Sequence, residues 1–125
     1  MTDSLSLAIS DVARLTGLSA HTLRYYEREG LMFSPVDRAS STHRRYSQAD
    51  VNWVIFLTKL RLTSMPIARM REYVALARRG DDTSADRLEL LLIHRMNVVQ
   101  RLEEMTASLA AIDHKIGLYQ EKVTA

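Results

Sequence analysis

Cysteine is absent from the 125 residues. Disulfides, thiolate metal sites and thiol redox switching are therefore excluded, which fits a reducing cytoplasm. Long apolar runs are missing too. Val54–Leu57 and Leu90–Ile93 are far too short to cross a bilayer. The opening Met-Thr-Asp-Ser-Leu-Ser-Leu lacks the basic and apolar regions of a signal peptide. Glycine and proline are scarce, at four and two residues. The glycines fall at turns or inside a long helical pattern, so no glycine-rich phosphate loop exists. No nucleophile–base pair shows a recognisable spacing. His94 and His114 stand twenty residues apart without a second ligand one helical turn away, and two histidines do not make a metal site. Nothing points to an enzyme, a metal or a cofactor.

The net charge is only +2, but it is unevenly spread. Residues 1–79 hold twelve lysines and arginines against seven acidic residues, and residues 80–125 hold five against eight. The front part suits a polyanionic partner and the back part does not.

Punctuation along the front part predicts short helices. Ser6–Ile9 alternates like a strand. Ser10 is the expected N-cap of a helix over Asp11–Thr16 that Gly17 terminates, with Val12, Ala13 and Leu15 packing inward. Ser19 caps a second helix that runs to Glu29 and stops at Gly30. Gly17-Leu18-Ser19 is a connection short enough for a helix–turn–helix. Leu23 and Tyr26 share one face of the second helix. His21, Thr22, Tyr25 and Arg28 lie toward another, with Arg24 at its edge.

Leu31–Tyr46 reads as a small hairpin. Its start, Leu31-Met32-Phe33, is apolar, Ser34–Thr42 has loop composition, and His43-Arg44-Arg45-Tyr46 is the return strand. Ser47-Gln-Ala-Asp50 resembles a capping box before a helix to about Leu62, carried by Val51, Val54/Ile55, Leu57 and Leu60/Leu62. Pro66 suits the first position of the next helix, which ends at Gly80. Arg78 and Arg79 near that end favour the helix dipole without needing a partner.

Thr83-Ser84-Ala85-Asp86 is another capping-box-like start. With Leu88 at position a of a heptad, the a sites are Leu88, Arg95, Leu102, Leu109, Ile116 and Val123. The d sites are Leu91, Val98, Met105, Ile112 and Tyr119. All but Arg95 are apolar. This periodicity predicts a coiled-coil helix of roughly 55–60 Å. One such helix cannot cover its own seam, so it needs a partner, and the simplest is a second copy of the chain.

Thr22-Leu-Arg-Tyr-Tyr-Glu27, Gly30-Leu31 and Arg44-x-Tyr46-Ser47 followed by Asp50 resemble the MerR family of bacterial transcription regulators, across residues 6–79. Trp53, Met65-Pro66-Ile67, Thr83, Arg87-x-x-Leu90-Leu91, His94-Arg95 and Lys115-Ile116-x-x-Tyr119 are similar to the branch that answers aldehyde and thiol stress. The resemblance implies a mainly α fold. Residues 1–80 would form a winged helix–turn–helix with a β-hairpin wing at 31–46 and a second wing at 48–62 and 66–79. Residues 81–125 would form a long helix pairing antiparallel across a homodimer two-fold.

The implied partner is double-stranded promoter DNA carrying a near-palindromic operator. Activating members distort an over-long promoter spacer so that RNA polymerase can engage it, and others repress from the same site. A small-molecule effector of unknown identity is left open, and no membrane is involved. The family usually has a glycine where Thr42 stands. Its thiol-sensing branch commonly has a cysteine where Lys59 stands, so thiol sensing is not carried over.

The candidate DNA-binding residues are Thr22, Arg24, Tyr25 and Arg28 on the recognition helix, with His43, Arg44, Arg45 and Tyr46 on the wing. Guanidinium groups pair with phosphate or guanine edges, and hydroxyls reach phosphate oxygens. Arg44 matches the family's wing arginine, and Tyr46 is divided evenly between phosphate contact and packing under the wing. Lys59, Arg61, Arg69 and Arg71 either extend the phosphate footprint or solubilise the surface. Trp53, Phe56, Tyr73, Met65, Met70 and Met96 read as core ahead of an effector pocket. The candidate dimerisation residues are Leu88, Leu91, Val98, Leu102, Met105, Leu109, Ile112, Ile116 and Tyr119. A coiled-coil interaction or DNA-architectural module without promoter-specific control is the alternative.

Overall fold

A computed structural model describes residues 6–33, 37–38 and 44–125, with the side chains of Asp37, Arg38 and Arg44 outside the description. The described elements are β1 (Leu7–Ala8), α1 (Ile9–Thr16), α2 (Ala20–Arg28), β2 (Asp37–Arg38), β3 (Arg44–Tyr46), α3 (Gln48–Leu62), α4 (Ile67–Arg79), a 3-10 turn (Asp81–Thr83) and α5 (Ser84–Thr124). The chain divides into two compact units at Arg87 and Leu88.

In the first unit, local chemistry sets the helix starts. The Ser19 hydroxyl accepts the Thr22 amide at 3.1 Å, which satisfies one orphan donor of α2. Ser47 and Asp50 form a reciprocal capping box on α3: the Ser47 hydroxyl accepts the Asp50 amide at 3.1 Å, and the Asp50 carboxylate accepts the Ser47 amide at 2.9 Å. Aspartate thus serves where glutamate is usual. Gly17 ends α1 at φ 75°, in the left-handed region where a side chain is strained.

Some boundaries differ from expectation. The start of α1 is held by Asp11, whose carboxylate accepts the Ala8 amide at 3.1 Å, so Ala8 rather than Ser10 takes the cap position. Pro66 is the cap of α4, with extended ψ of 147°, and not its first helical residue. Thr83 does not act as the expected cap. Its buried hydroxyl turns back to donate toward the Leu76 and Gly80 carbonyls, 2.6 and 2.8 Å away.

The sheet has the order β1-β3-β2, both pairings antiparallel. Leu7 faces Tyr46 and Ala8 faces Arg45; Asp37 faces Arg45 and Arg38 faces Arg44. The outgoing hairpin strand therefore falls inside the stretch read as loop. Leu31 and Met32 are buried in a turn instead: they are drawn into the core, which leaves no strand at the apolar start.

That core gathers Val12 of α1, Leu23 and Tyr26 of α2, Leu31, Met32, Tyr46, Val51, Val54, Leu57 and Leu60 of α3, Met65, and Met70, Val74 and Ala77 of α4. The ambiguous apolar pairs on α3 resolve cleanly: Val54 and Leu60 go inside, while Ile55 and Leu62 stay exposed. Leu15, expected inside, is exposed as well: the inward face of α1 is made by buried Val12 with half-buried Ile9, Ala13 and Thr16 at helical spacing, and Leu15 lies off it.

The second unit is helical throughout. α5 has 41 residues and none of them is buried, giving a rod of about 60 Å at 1.5 Å per residue.

Candidate nucleic-acid interface

The recognition-helix candidates lie together on α2. Leu23 and Tyr26 are 1% and 3% exposed and anchor one face. Arg24 and Arg28, one helical turn apart, are exposed on the other, with Thr22 and Tyr25 half-buried. Among the described residues neither guanidinium has a hydrogen-bond or ion-pair partner. Glu29, which could have neutralised this face, is instead engaged by the Arg71 guanidinium of α4. The helix therefore offers two exposed cations from a buried, anchored face.

The hairpin candidates separate. His43 lies outside the described residues, as does the Arg44 side chain. Arg45 is half-buried and turned to the N-terminal segment. It donates to the Ser6 hydroxyl at 3.0 Å and to the Ser6 carbonyl at 2.7 Å. Tyr46 is 1% exposed, so it packs beneath the hairpin and is not a surface contact for phosphate. Strand alternation accounts for the pair: with Tyr46 inward, Arg45 must point away.

The second-wing cations are largely engaged within the chain. Arg61 reaches the Met65 carbonyl at 3.3 Å, Arg69 pairs with Glu72 at 2.8 Å, and Arg71 holds Glu29. Lys59 is exposed. Arg78, expected to serve only the helix dipole, donates to the Phe33 carbonyl at 2.9 Å, the Gly30 carbonyl at 3.2 Å and the Met32 carbonyl. The Trp53 indole donates to the Leu31 carbonyl at 2.7 Å. Sequence reasoning missed both roles, since a basic residue in a last turn and an aromatic on a helix have commoner explanations.

The aromatic residues proposed for core or pocket form a half-buried cluster. Trp53 meets Phe33 edge-on at 5.4 Å and stacks on Tyr73 at 5.9 Å, and Tyr73 meets Phe56 at 5.5 Å. Met65 and Met70 are core, but Met96 is exposed on α5, which removes it from that group. No cluster of three histidine or acidic residues suited to a metal occurs among the described residues. No described helix is long and apolar enough to cross a membrane.

The seam candidates on α5 are open. Leu88, Leu102, Met105, Leu109, Ile112, Ile116 and Tyr119 are each about half exposed or more; Leu91 and Val98 are intermediate. Leu92, Ile93 and Met96 add exposed apolar surface off the seam near the start of the helix. Burial and then the charge of Arg101 hold the His94 imidazole below its ordinary pKa.

Comparison with known proteins bears on this geometry. The MerR HTH family regulatory protein model matches residues 7–76. An HTH-type transcriptional regulator of Haemophilus influenzae is 30% identical, over 94% of this chain and 86% of its own. The regulator AdhR of Bacillus subtilis is 38% identical over 74% of this chain and 65% of its own. Among solved structures, a MerR family regulator from Listeria monocytogenes superposes with a TM-score of 0.85 at 36% identity, covering 92% of this chain and 86% of that one. HiNmlR, a MerR family regulator lacking the sensor domain and bound to promoter DNA, superposes with a TM-score of 0.84 at 30% identity, covering 94% and 92%. By the family model over residues 7–76 and these relatives, this chain belongs to the MerR family of helix–turn–helix transcriptional regulators, which are not enzymes.

Proposed function

We propose that the chain acts as a homodimer on a near-palindromic promoter operator. Residues 1–80 bind DNA and residues 81–125 dimerise. Each protomer places α2 in a major groove with Arg24 and Arg28 toward the DNA, and sets the hairpin, with Arg44, on the flanking backbone. Thr22 and Tyr25 supply hydroxyl contacts at the rim of the same face. The dimer stabilises a distorted spacer, so that promoter shape governs access by RNA polymerase. Such work belongs in the bacterial cytoplasm.

The observation that carries this reading is the pair of exposed guanidinium groups on α2, neither with a hydrogen-bond or ion-pair partner among the described residues. A bare seam along α5 supports the dimer, and the promoter-bound HiNmlR supports the DNA partner. Direct thiol sensing has no residue to perform it, since cysteine is absent.

Arg24→Ala tests the assignment. A guanidinium at a base edge or phosphate is worth about 1–3 kcal/mol, so operator affinity in a mobility-shift titration should fall by roughly five- to a hundredfold. Unchanged affinity would remove α2 from the interface.

A further inference from the structure

The segment that joins the recognition helix to the hairpin has no regular structure, yet each of its five consecutive carbonyls accepts a side-chain donor from α3 or α4. Arg71 takes Glu29 at 3.3 Å, Arg78 takes Gly30 at 3.2 Å, and Trp53 takes Leu31 at 2.7 Å. Arg78 also takes Met32, and Phe33 at 2.9 Å. The Glu29 carboxylate accepts from Arg71 as well. Among the described residues only the entry to the segment is bonded along the backbone, from the Glu29 amide to Tyr25, the Gly30 amide to Glu27 and the Leu31 amide to Tyr26. Beneath it, Leu31 and Met32 are 0% and 3% exposed.

Surface loops ordinarily satisfy their carbonyls with water. Here three side chains from two helices replace that water in sequence. The planar fork of Arg78, with several N–H groups in fixed directions, can engage three carbonyls at once; an ammonium group of equal charge cannot reproduce it. The cations also sit where the C-terminal end of α2 carries partial negative charge.

We infer that Arg78, assisted by Arg71 and Trp53, is a positioning residue for DNA recognition. It fixes the exit of α2 onto α4 and thereby sets the direction in which the chain leaves toward the hairpin. Arg78 does not touch the nucleic acid. Its effect on binding comes through the geometry of residues 29–33, and in that respect the inference rests on the function proposed above.

Two measurements on the full-length chain test this separately. The first needs no DNA. Trp53 is the single tryptophan and is bonded to the segment, so its fluorescence reports the segment directly. Arg78→Lys and Arg78→Ala should both shift its emission to the red and raise its quenching by acrylamide, while Arg79→Ala should not. An Arg78→Lys spectrum matching the wild type overturns the inference.

The second uses a duplex selected by the wild-type chain from a random-sequence pool, titrated by fluorescence anisotropy at several salt concentrations. Loss of bonds from a charged donor predicts about a tenfold or greater loss of affinity in both Arg78 variants, with the wild-type salt slope kept. A slope lowered by about one unit would make Arg78 a phosphate contact. Retained affinity in Arg78→Lys, or a loss no larger than the drop in folded fraction by circular dichroism, would make it a stabilising residue only. Each of these results overturns the inference. If the wild-type chain selects no sequence, the proposed function fails, and the Trp53 measurement still decides the role of Arg78 in the segment.

Discussion

Thr83 concentrates several bonds in one small side chain. It is 1% exposed, donates toward the Leu76 and Gly80 carbonyls and accepts from the Arg87 guanidinium at 3.1 Å. Arg87 continues to the Gly80 carbonyl at 3.2 Å and the Ser84 hydroxyl at 3.1 Å. The hydroxyl thus supplies a donor to the Leu76 carbonyl in the last turn of α4, while the Gly80 carbonyl also accepts from the Thr83 amide at 3.1 Å. Thr83→Val keeps the shape and removes the hydroxyl, taking a donor from the Leu76 carbonyl and an acceptor from the Arg87 guanidinium. Stability should fall by about 1–3 kcal/mol in a urea titration of the full-length chain. A change below about 0.5 kcal/mol would show that water replaces the hydroxyl, and this interpretation would be wrong.

At the scale of elements, what was legible in the sequence was local. Ser19 with Thr22, Ser47 with Asp50, and Gly17 after Thr16 act across three or four positions, and capping chemistry depends on little else. The heptad stripe of α5 was equally plain, because a helix displays its period without reference to the rest of the chain. What stayed hidden depended on tertiary packing. Strand alternation requires Arg45 and Tyr46 to part, but does not dictate that Tyr46 goes fully inside. Leu15 looked as apolar as Val12, and only which face of α1 meets the core separates them. The bonds of Arg78 to residues more than forty positions earlier left no local trace.

The long helix also carries a pH response. His94 titrates lower in the folded chain than free histidine, through burial first and the Arg101 charge second. The unfolded chain then binds protons more readily. Stability is unpenalised above the ordinary histidine pKa and declines as pH falls through it toward the folded value. Thermal unfolding of the wild type should therefore become easier on acidification below about pH 6.5, and His94→Gln should lose that component. An identical pH profile in the variant would assign the response elsewhere.

For the whole molecule, the proposed dimerisation through α5 is the step on which the proposed operator geometry would depend. A helix with no buried residue and seven half-exposed seam residues does not cover its apolar stripe alone. Leu109→Asp places a charge in the middle of that seam, where burial without a partner is costly. Sedimentation should show the variant as a monomer at concentrations where the wild type is a dimer, and operator affinity should fall with it. A dimeric Leu109→Asp would move the pairing surface off the seam.

The uncovered seam has a consequence for dosage. When the pool of subunits lies below the level at which pairs form, the number of pairs rises with the square of the number of chains. Halving expression would then cut promoter occupancy about fourfold, and doubling it would do the reverse, before any signal arrives. A cell carrying this regulator would possess a built-in threshold, set by how greasy one face of one rod happens to be.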